Sequence, residues 1–429
     1  MPRTARAASK TPPSAHRSRG GKSAVAECRE SMPPIMAVVL AKPMGGCMKR
    51  LAITADTVGP IARGHPWVYR DGLTSESWPA GTPVQLRDPR NRPVAFGLTD
   101  DGPVAVRILG RHPEDVPKLI RRRVHTAAQR RARLIPSQTT AWRVVNGAGD
   151  GLPGVVVDRY GPLAVLRLYG ACWIAYLDDL VEALHGLSGV TIVARRLGVR
   201  RVDGDSGLDH LAGPAIPDTL VVEEAGLRFL VRPAVGQKTG LFIDQREHRM
   251  RVGRCASGTE VINLFAYTGG FSVHAAAAGA SRVTTVDIAP DAVADAKENF
   301  RLNGIPVDRH VFAVADAFAW KPHHPAGLVV CDPPNLSTGR KSDQRARSAY
   351  RDLATEAGRM TAEDGILATA SCTARLSMER WTESVAEGLR KCGRWSWLWR
   401  AGEPPDHPVA QAHPEGRYLK FALAARLPS

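Results

Sequence analysis

Apolar and polar positions change their rhythm along the chain, and the changes divide it into regions. From residue 48 to about 125, apolar runs such as Thr82–Arg87, Pro93–Leu98 and Val104–Leu109 are short and broken by Gly and Pro. Short runs with turn signals between them predict a small β-rich domain. Lys118 to Arg133 then has a helix-like pattern and carries six arginines, Arg121, Arg122, Arg123, Arg130, Arg131 and Arg133. This predicts a connecting helix whose basic face is either solvated or an RNA contact. Over residues 126–232, Gly154–Asp158, Leu163–Leu168, Val190–Ala194 and Leu220–Val231 read as strands and Trp173–Leu187 as a helix, which predicts a small α+β domain. From 233 to 429, strand and helix patterns alternate, the mark of a parallel, doubly wound Rossmann-like α/β sheet.

Residues 1–47 fit none of these patterns. They are rich in Arg, Ser, Ala and Pro and lack the apolar core of a signal peptide. The ordered pattern begins at Met48-Lys49-Arg50, so 1–47 reads as a disordered basic extension or as sequence upstream of the true start.

Charge narrows the partners. The chain holds 58 Lys and Arg against 42 Asp and Glu, a net charge of +16. Residues 1–47 contain eight of the basic and two of the acidic side chains, so the remainder still carries +10. A body this basic points to a polyanion, nucleic acid first. With 44% hydrophobic residues the chain can bury real cores. Its seven cysteines (Cys28, Cys47, Cys172, Cys255, Cys331, Cys372, Cys392) are scattered with no Cys-x-x-Cys pair. They make neither a zinc framework nor a disulfide scaffold, which predicts no metal and a cytoplasmic location. No apolar run is long enough to span a bilayer, so no membrane partner is expected.

The strongest local signal is Glu260–Phe265, an apolar strand that runs into Ala266-Tyr-Thr-Gly-Gly-Phe271 and a helix from Ser272 to Gly279. Strand, Gly-containing turn and helix form half of a nucleotide-binding crossover, with the ligand at the carboxyl end of the strand. A second strand, Arg282–Val286, ends in Asp287, roughly 20 residues past the turn, where a carboxylate grips ribose hydroxyls. A third, Val311–Val314, ends near Asp316. The pyrophosphate-cradling Gly-x-Gly-x-x-Gly is absent, which argues against a dinucleotide; a sulfonium cofactor needs no such loop. The turn alone does not decide between them.

A fourth strand, Leu328–Cys331, ends in Asp332-Pro333-Pro334-Asn335, where two prolines stiffen the loop. A fifth, Gly365–Ala370, ends in Ser371-Cys372-Thr373. In a parallel sheet both ends open on one edge, so Cys372 faces the Asp332 loop. Carbon 5 of cytosine is poorly nucleophilic until a thiolate adds to carbon 6, and a neighbouring acid supports the ring nitrogen as charge develops. Cys372 and Asp332 suit those roles, although a lone cysteine at a strand end equally suits plain packing.

Together these motifs resemble the bacterial 23S rRNA cytosine-C5 methyltransferases, over nearly everything from residue 48 onward. Arg63-Gly-His-Pro-Trp-Val68 is similar to that family's PUA opening, and Gly149-Asp-Gly-Leu-Pro-Gly-Val-Val-Val-Asp-Arg-Tyr160 to the start of its central domain. Gln237–Arg249 resembles the segment leading into its methyltransferase domain, and Pro405–Pro408 and Glu415–Lys420 its C-terminal signatures. The resemblance implies a PUA domain over 48–125, a central α+β domain over 126–232 and a class I methyltransferase domain over 233–429. It implies S-adenosylmethionine as cofactor, held by Asp244, Gln245, Arg246, Asn263, Phe265, Tyr267, Gly269, Asp287, Asp316, Asp332 and Pro333. It also implies 23S rRNA as partner, Cys372 as nucleophile and Asp332 as the acid that orients the base. Asn335 stands where many RNA cytosine-C5 methyltransferases carry a second cysteine.

Two other readings stay open. An RNA methyltransferase acting on an exocyclic amine or guanine would use the Asp-Pro-Pro-Asn loop and would not need Cys372. A non-catalytic rRNA-binding assembly factor would bind RNA without cofactor turnover. Nothing in the sequence fixes the oligomeric state, and a homodimer stays open.

Overall fold

The structure, a computed structural model, describes residues 48–198, 207–235, 240–336 and 342–428. The expected extension 1–47, and Gln237, Lys238 and Thr239 of the Gln237–Arg249 segment, lie outside the described residues.

The first region forms a five-stranded sheet from β1 (Lys49–Ala52), β2 (Trp67–Tyr69), β3 (Pro83–Arg87), β4 (Pro93–Thr99) and β5 (Val104–Gly110), in the order β1-β3-β4-β5-β2. Helix α1 (Ala55–Ala62) follows β1. The alternating burial of β3 expresses its two-residue period, with Val84 and Leu86 inside.

Helix α2 (Val116–Leu134) starts on Asp115, whose Oδ1 accepts from the Lys118 amide at 2.9 Å. It runs unbroken across the Lys118–Arg133 stretch that the sequence pattern reads as a helix. It is also more than a solvated connector: Val116, Leu119, Ile120, Val124, Ala127 and Arg131 lie on one three-to-four-residue stripe and are buried. That stripe packs in one core with Phe96, Leu98 and Leu109 of the first sheet and Val144, Val155 and Leu166 of the second. The second sheet contains β6 (Ala141–Asn146), β7 (Val155–Tyr160), β8 (Leu163–Leu168), β9 (Ile192–Leu197) and β10 (Gly207–Ala212), with α3 (Leu177–His185) crossing between the parallel β8 and β9.

Leu220–Val231, which reads as one strand, is a hairpin of β11 (Leu220–Glu224) and β12 (Leu227–Val231). The turn residues Ala225 and Gly226 have φ of 51° and 85°. Two consecutive left-handed residues make the tight turn that matches strand twist, and the apolar run hides it.

The third sheet uses α4 (Arg246–Arg254), β13 (Glu260–Leu264), α5 (Gly270–Ala277), β14 (Arg282–Asp287), α6 (Pro290–Leu302), β15 (Val311–Val314), β16 (Ala326–Cys331), α7 (Ser342–Met360), β17 (Thr361–Ser371), α8 (Met378–Leu389), β18 (Trp395–Ala401) and β19 (Lys420–Arg426). Its strand order is β15-β14-β13-β16-β17-β19-β18. The first five are parallel, but β19 inserts antiparallel between β17 and β18, so the sheet is mixed rather than wholly parallel. Residues of α4, α5 and α6 cover one face through Val252, Phe271 and Phe300, and α7 and α8 cover the other through Tyr350 and Trp381. Chain direction reverses its march at β13, between β14 and β16, and the crevice at such a switch point is where ligands bind in open α/β sheets. All described residues belong to one unit, Leu40–Ser429. No helix among them is long and apolar enough to cross a membrane, and no cluster among them could hold a metal ion.

Candidate active site

The turn from β13 to α5 is conformationally costly. Phe265, Tyr267 and Gly269 all have positive φ, at 57°, 49° and 75°. Such backbone in bulky residues costs on the order of 1–3 kcal/mol each and persists only where neighbours enforce it. Asp287 is one enforcer: its Oδ2 accepts from the Tyr267 amide at 2.7 Å, and its Oδ1 from the Ala289 amide at 3.0 Å. At Gly269 a Cβ would come within 2.9 Å of the Ala296 Cβ, so glycine is needed for the helix approach as well as for φ.

Beside this turn stand apolar groups that the sequence reading missed. Ile288, next to Asp287, is 68% exposed, and Phe318, two residues past Asp316, is 50% exposed. The Phe318 ring meets Phe265 edge-on with centroids 4.9 Å apart. Large apolar side chains left bare at the carboxyl ends of β14 and β15 form walls that a flat heterocycle can cover. Asp316 is exposed, and its Oδ1 accepts from the Phe318 amide at 3.0 Å. Asn263 points elsewhere: it is fully buried, and its Nδ2 donates to Ser272 Oγ at 2.9 Å, bracing α5 on β13. A bare apolar wall, a carboxylate one strand away and no phosphate cradle fit an adenosine joined to a sulfonium.

The reacting end lies one strand over. Cys331 pairs with Thr369 across β16 and β17, so the Asp332 loop and Ser371-Cys372 leave neighbouring strand ends. Gln245 Nε2 donates to Asp332 Oδ2 at 3.0 Å, and the Gln245 Oε1 lies 2.5 Å from His248 Nδ1. The His248 ring stacks on Phe421 at 4.3 Å and 9°. Burial drives its pKa down to about 3, so the ring is neutral. The Tyr418 hydroxyl donates to Asp244 Oδ2 at 2.6 Å. Pro333 is buried and Asn335 exposed.

Cys372 is half-buried, whereas Cys331 lies inside the sheet, where burial pushes its thiol well up. Lys420 sits opposite Ser371 in the β17–β19 ladder. Its ammonium donates to the Thr373 carbonyl at 2.5 Å and the Tyr418 carbonyl at 3.2 Å. Burial lowers the Lys420 pKa, while Glu403 and Cys372 oppose that drop, so the cation lies within electrostatic reach of the thiol. Below both strand ends, Tyr350 of α7 accepts from Ser371 Oγ at 2.8 Å.

Arg246 does not reach this cleft. It is fully buried and forks onto Asp406 at 2.7 and 3.2 Å, anchoring the Pro405–Pro408 segment. The structure therefore gathers Gln245, Phe265, Tyr267, Gly269, Asp287, Asp332, Pro333 and Cys372 along one sheet edge, with Asp244 tied to it through Tyr418. It gives Arg246 and Asn263 scaffolding partners.

Residues 184–408 match the family described as S-adenosylmethionine-dependent methyltransferase, and residues 51–111 match the PUA-like domain. The chain belongs to this S-adenosylmethionine-dependent methyltransferase family. Family relatives include the Ribosomal RNA large subunit methyltransferase of Deinococcus radiodurans, 36% identical over 393 residues, covering 86% of this chain and 96% of the relative. The Ribosomal RNA large subunit methyltransferase I of Tolumonas auensis is 31% identical over 378 residues, with 84% and 95% covered. In fold, the crystal structure of SMU.776 complexed with SAH is similar at a TM-score of 0.78 and 22% identity, covering 88% of this chain and all of that one. The expected class I methyltransferase fold, the PUA-like region and S-adenosylmethionine as cofactor stand on these findings.

Proposed function

We propose that this methyltransferase of large-subunit ribosomal RNA modifies carbon 5 of a cytosine in 23S rRNA, with Cys372 as nucleophile. The observation that carries the reading is the half-buried Cys372 at the end of β17, beside the Asp332 loop of β16. The names of the relatives supply the RNA class, and the net charge of +16 agrees with it.

Asp287 would hold the ribose, Phe265, Ile288 and Phe318 would cover the adenine, and Asp316 would stand at its edge. When bound, S-adenosylmethionine supplies a sulfonium-activated methyl electrophile at carbon 5. The Cys372 thiolate, stabilised by the Lys420 cation, adds to carbon 6 of the cytosine and pushes an electron pair toward carbon 5. Asp332, held by Gln245, orients the base and supports the ring nitrogen as charge develops. After carbon 5 carries the methyl, loss of its proton to a base expels the thiolate and restores the aromatic ring. An RNA target in a stacked helix must first be flipped out to reach Cys372.

RNA carrying 5-fluorocytosine tests this step, because fluorine at carbon 5 blocks the final proton loss. Wild-type protein with cofactor should form a covalent adduct mapped to Cys372. An adduct elsewhere, or none with an RNA that is otherwise methylated, would refute the nucleophile.

A further inference from the structure

Of four stretches singled out in the sequence, Arg63–Val68, Gly149–Tyr160, Pro405–Pro408 and Glu415–Lys420, only Tyr418 and Lys420 of the last reach the cofactor cleft. The stretches are far apart in the chain, yet all four line one cavity of about 630 Å³, through Trp67, Gly149, Pro408, Glu415 and Tyr418. The size lies inside the roughly 300–1,000 Å³ range of ligand pockets.

The walls are built rather than accidental. Gly149 must be glycine, because a Cβ there would lie 1.8 Å from the Pro408 carbonyl oxygen. The Trp67 and His413 rings meet with centroids 4.2 Å apart. Tyr169 is 48% exposed, but its backbone is pinned on both sides. Its amide donates to the Gly154 carbonyl at 2.7 Å, and its carbonyl accepts from Arg107 Nη2 at 2.7 Å. Arg107 is itself held by Asp100 at 2.6 Å. An aromatic ring kept in the open by a rigid backbone is a stacking platform.

Charge is divided between the cavity and its rim. On the cavity wall, the half-exposed Glu415 carboxylate stands 3.9 Å from both His65 and His413. A carboxylate repels phosphate and accepts from the exocyclic amine of a base. Outside, a groove that shares Tyr169 and Tyr418 with the cavity is lined by Arg143, Arg167 and Arg196. Arg143 is paired with Asp158 and Arg196 donates to the Pro233 and Ala234 carbonyls, while Arg167 lies close enough to depress the Arg196 pKa alongside burial. Two neighbouring guanidinium groups suit a phosphodiester.

We propose that this cavity receives one unstacked, amine-bearing nucleobase of the RNA substrate, next to the strand segment whose target base enters the cleft. Its phosphates then run over Arg167 and Arg196. The proposal rests on the RNA reading above. Tyr418 joins the two places, because it lines the cavity and its hydroxyl reaches Asp244, the neighbour of the Gln245 that holds Asp332.

Ultraviolet crosslinking of unmodified 23S rRNA to the full-length protein, with peptide mapping, is the test. Crosslinks at Trp67, Tyr169 or His413 are expected; crosslinks confined to other surfaces would overturn the proposal. Tyr169→Ala removes the platform and Ala410→Trp fills the cavity. Each should raise KM for RNA about 10-fold and leave S-adenosylhomocysteine affinity unchanged. An unchanged KM in both variants would also overturn it. Crosslinking needs no turnover, so a chain that methylates some other base fails the cytosine reading without touching this one.

Discussion

Gln245 donates through Nε2 to Asp332 Oδ2 at 3.0 Å, so the segment leading into the third sheet grips the carboxylate at the end of β16 that is proposed to orient the base. Neutral, buried His248 fixes the other end of the same amide. A hydrogen bond to a charged group contributes about 1.5–3 kcal/mol. Gln245→Ala should therefore slow single-turnover methyl transfer by about 10- to 100-fold, with an unchanged circular dichroism spectrum. A rate within twofold of wild type would show that Asp332 needs no such brace.

Asp287, the proposed ribose ligand, also holds its loop, because its Oδ2 supports the Tyr267 amide within a run of positive φ. Asp287→Ala should weaken S-adenosylhomocysteine binding by about 100-fold in calorimetry. Asp316→Ala, at an exposed residue whose Oδ1 caps only a local turn, should cost less than 10-fold. Equal losses would mean that the two carboxylates share the work differently.

The parallel core was legible because each strand is a short apolar run that ends in a chemically distinctive residue, Asp287, Asp332 or Cys372. What escaped the sequence depends on contacts far apart in the chain. The apolar stripe of α2 is diluted by arginines, so its helix reads as solvated although six of its residues are buried. Arg246 stands beside two residues of the cleft, but Asp406, 160 positions on, captures it. Ile288 and Phe318 carry no polar signal, and only their exposure at strand ends marks them. Lys420 becomes interesting only because β19 inserts antiparallel beside β17 and sets it opposite Ser371.

Gly149 carries a stability prediction. Any side chain there collides with backbone rather than with a flexible tip, since the Pro408 carbonyl oxygen would lie 1.8 Å from a Cβ. Gly149→Ala should destabilise the protein by about 1–3 kcal/mol, read as a lower Tm by calorimetry. An unchanged Tm would mean that the C-terminal segment detaches at little cost.

Two buried groups shape the acid response in the same direction. His248 is held neutral by burial, its pKa down at about 3 against 6.5 when unfolded. The unfolded chain therefore takes a proton that the folded one refuses, and this contribution is full above pH 6.5 and falls as the pH drops toward 3. Burial alone would raise the Glu224 carboxyl, but Arg249 and His274 outweigh it and bring it to about 2 from 4.5. Its contribution is full above pH 4.5 and is lost toward pH 2. Tm should begin to fall below pH 6.5 and steepen below 4.5; a flat Tm from pH 8 down to 4 would contradict this account.

The most direct measurement is nucleoside mass spectrometry of unmodified 23S rRNA incubated with isotope-labelled S-adenosylmethionine and either wild-type protein or Cys372→Ala. Labelled 5-methylcytosine is expected from the wild type and none from the variant. Label on another base, or equal 5-methylcytosine from both proteins, would contradict it.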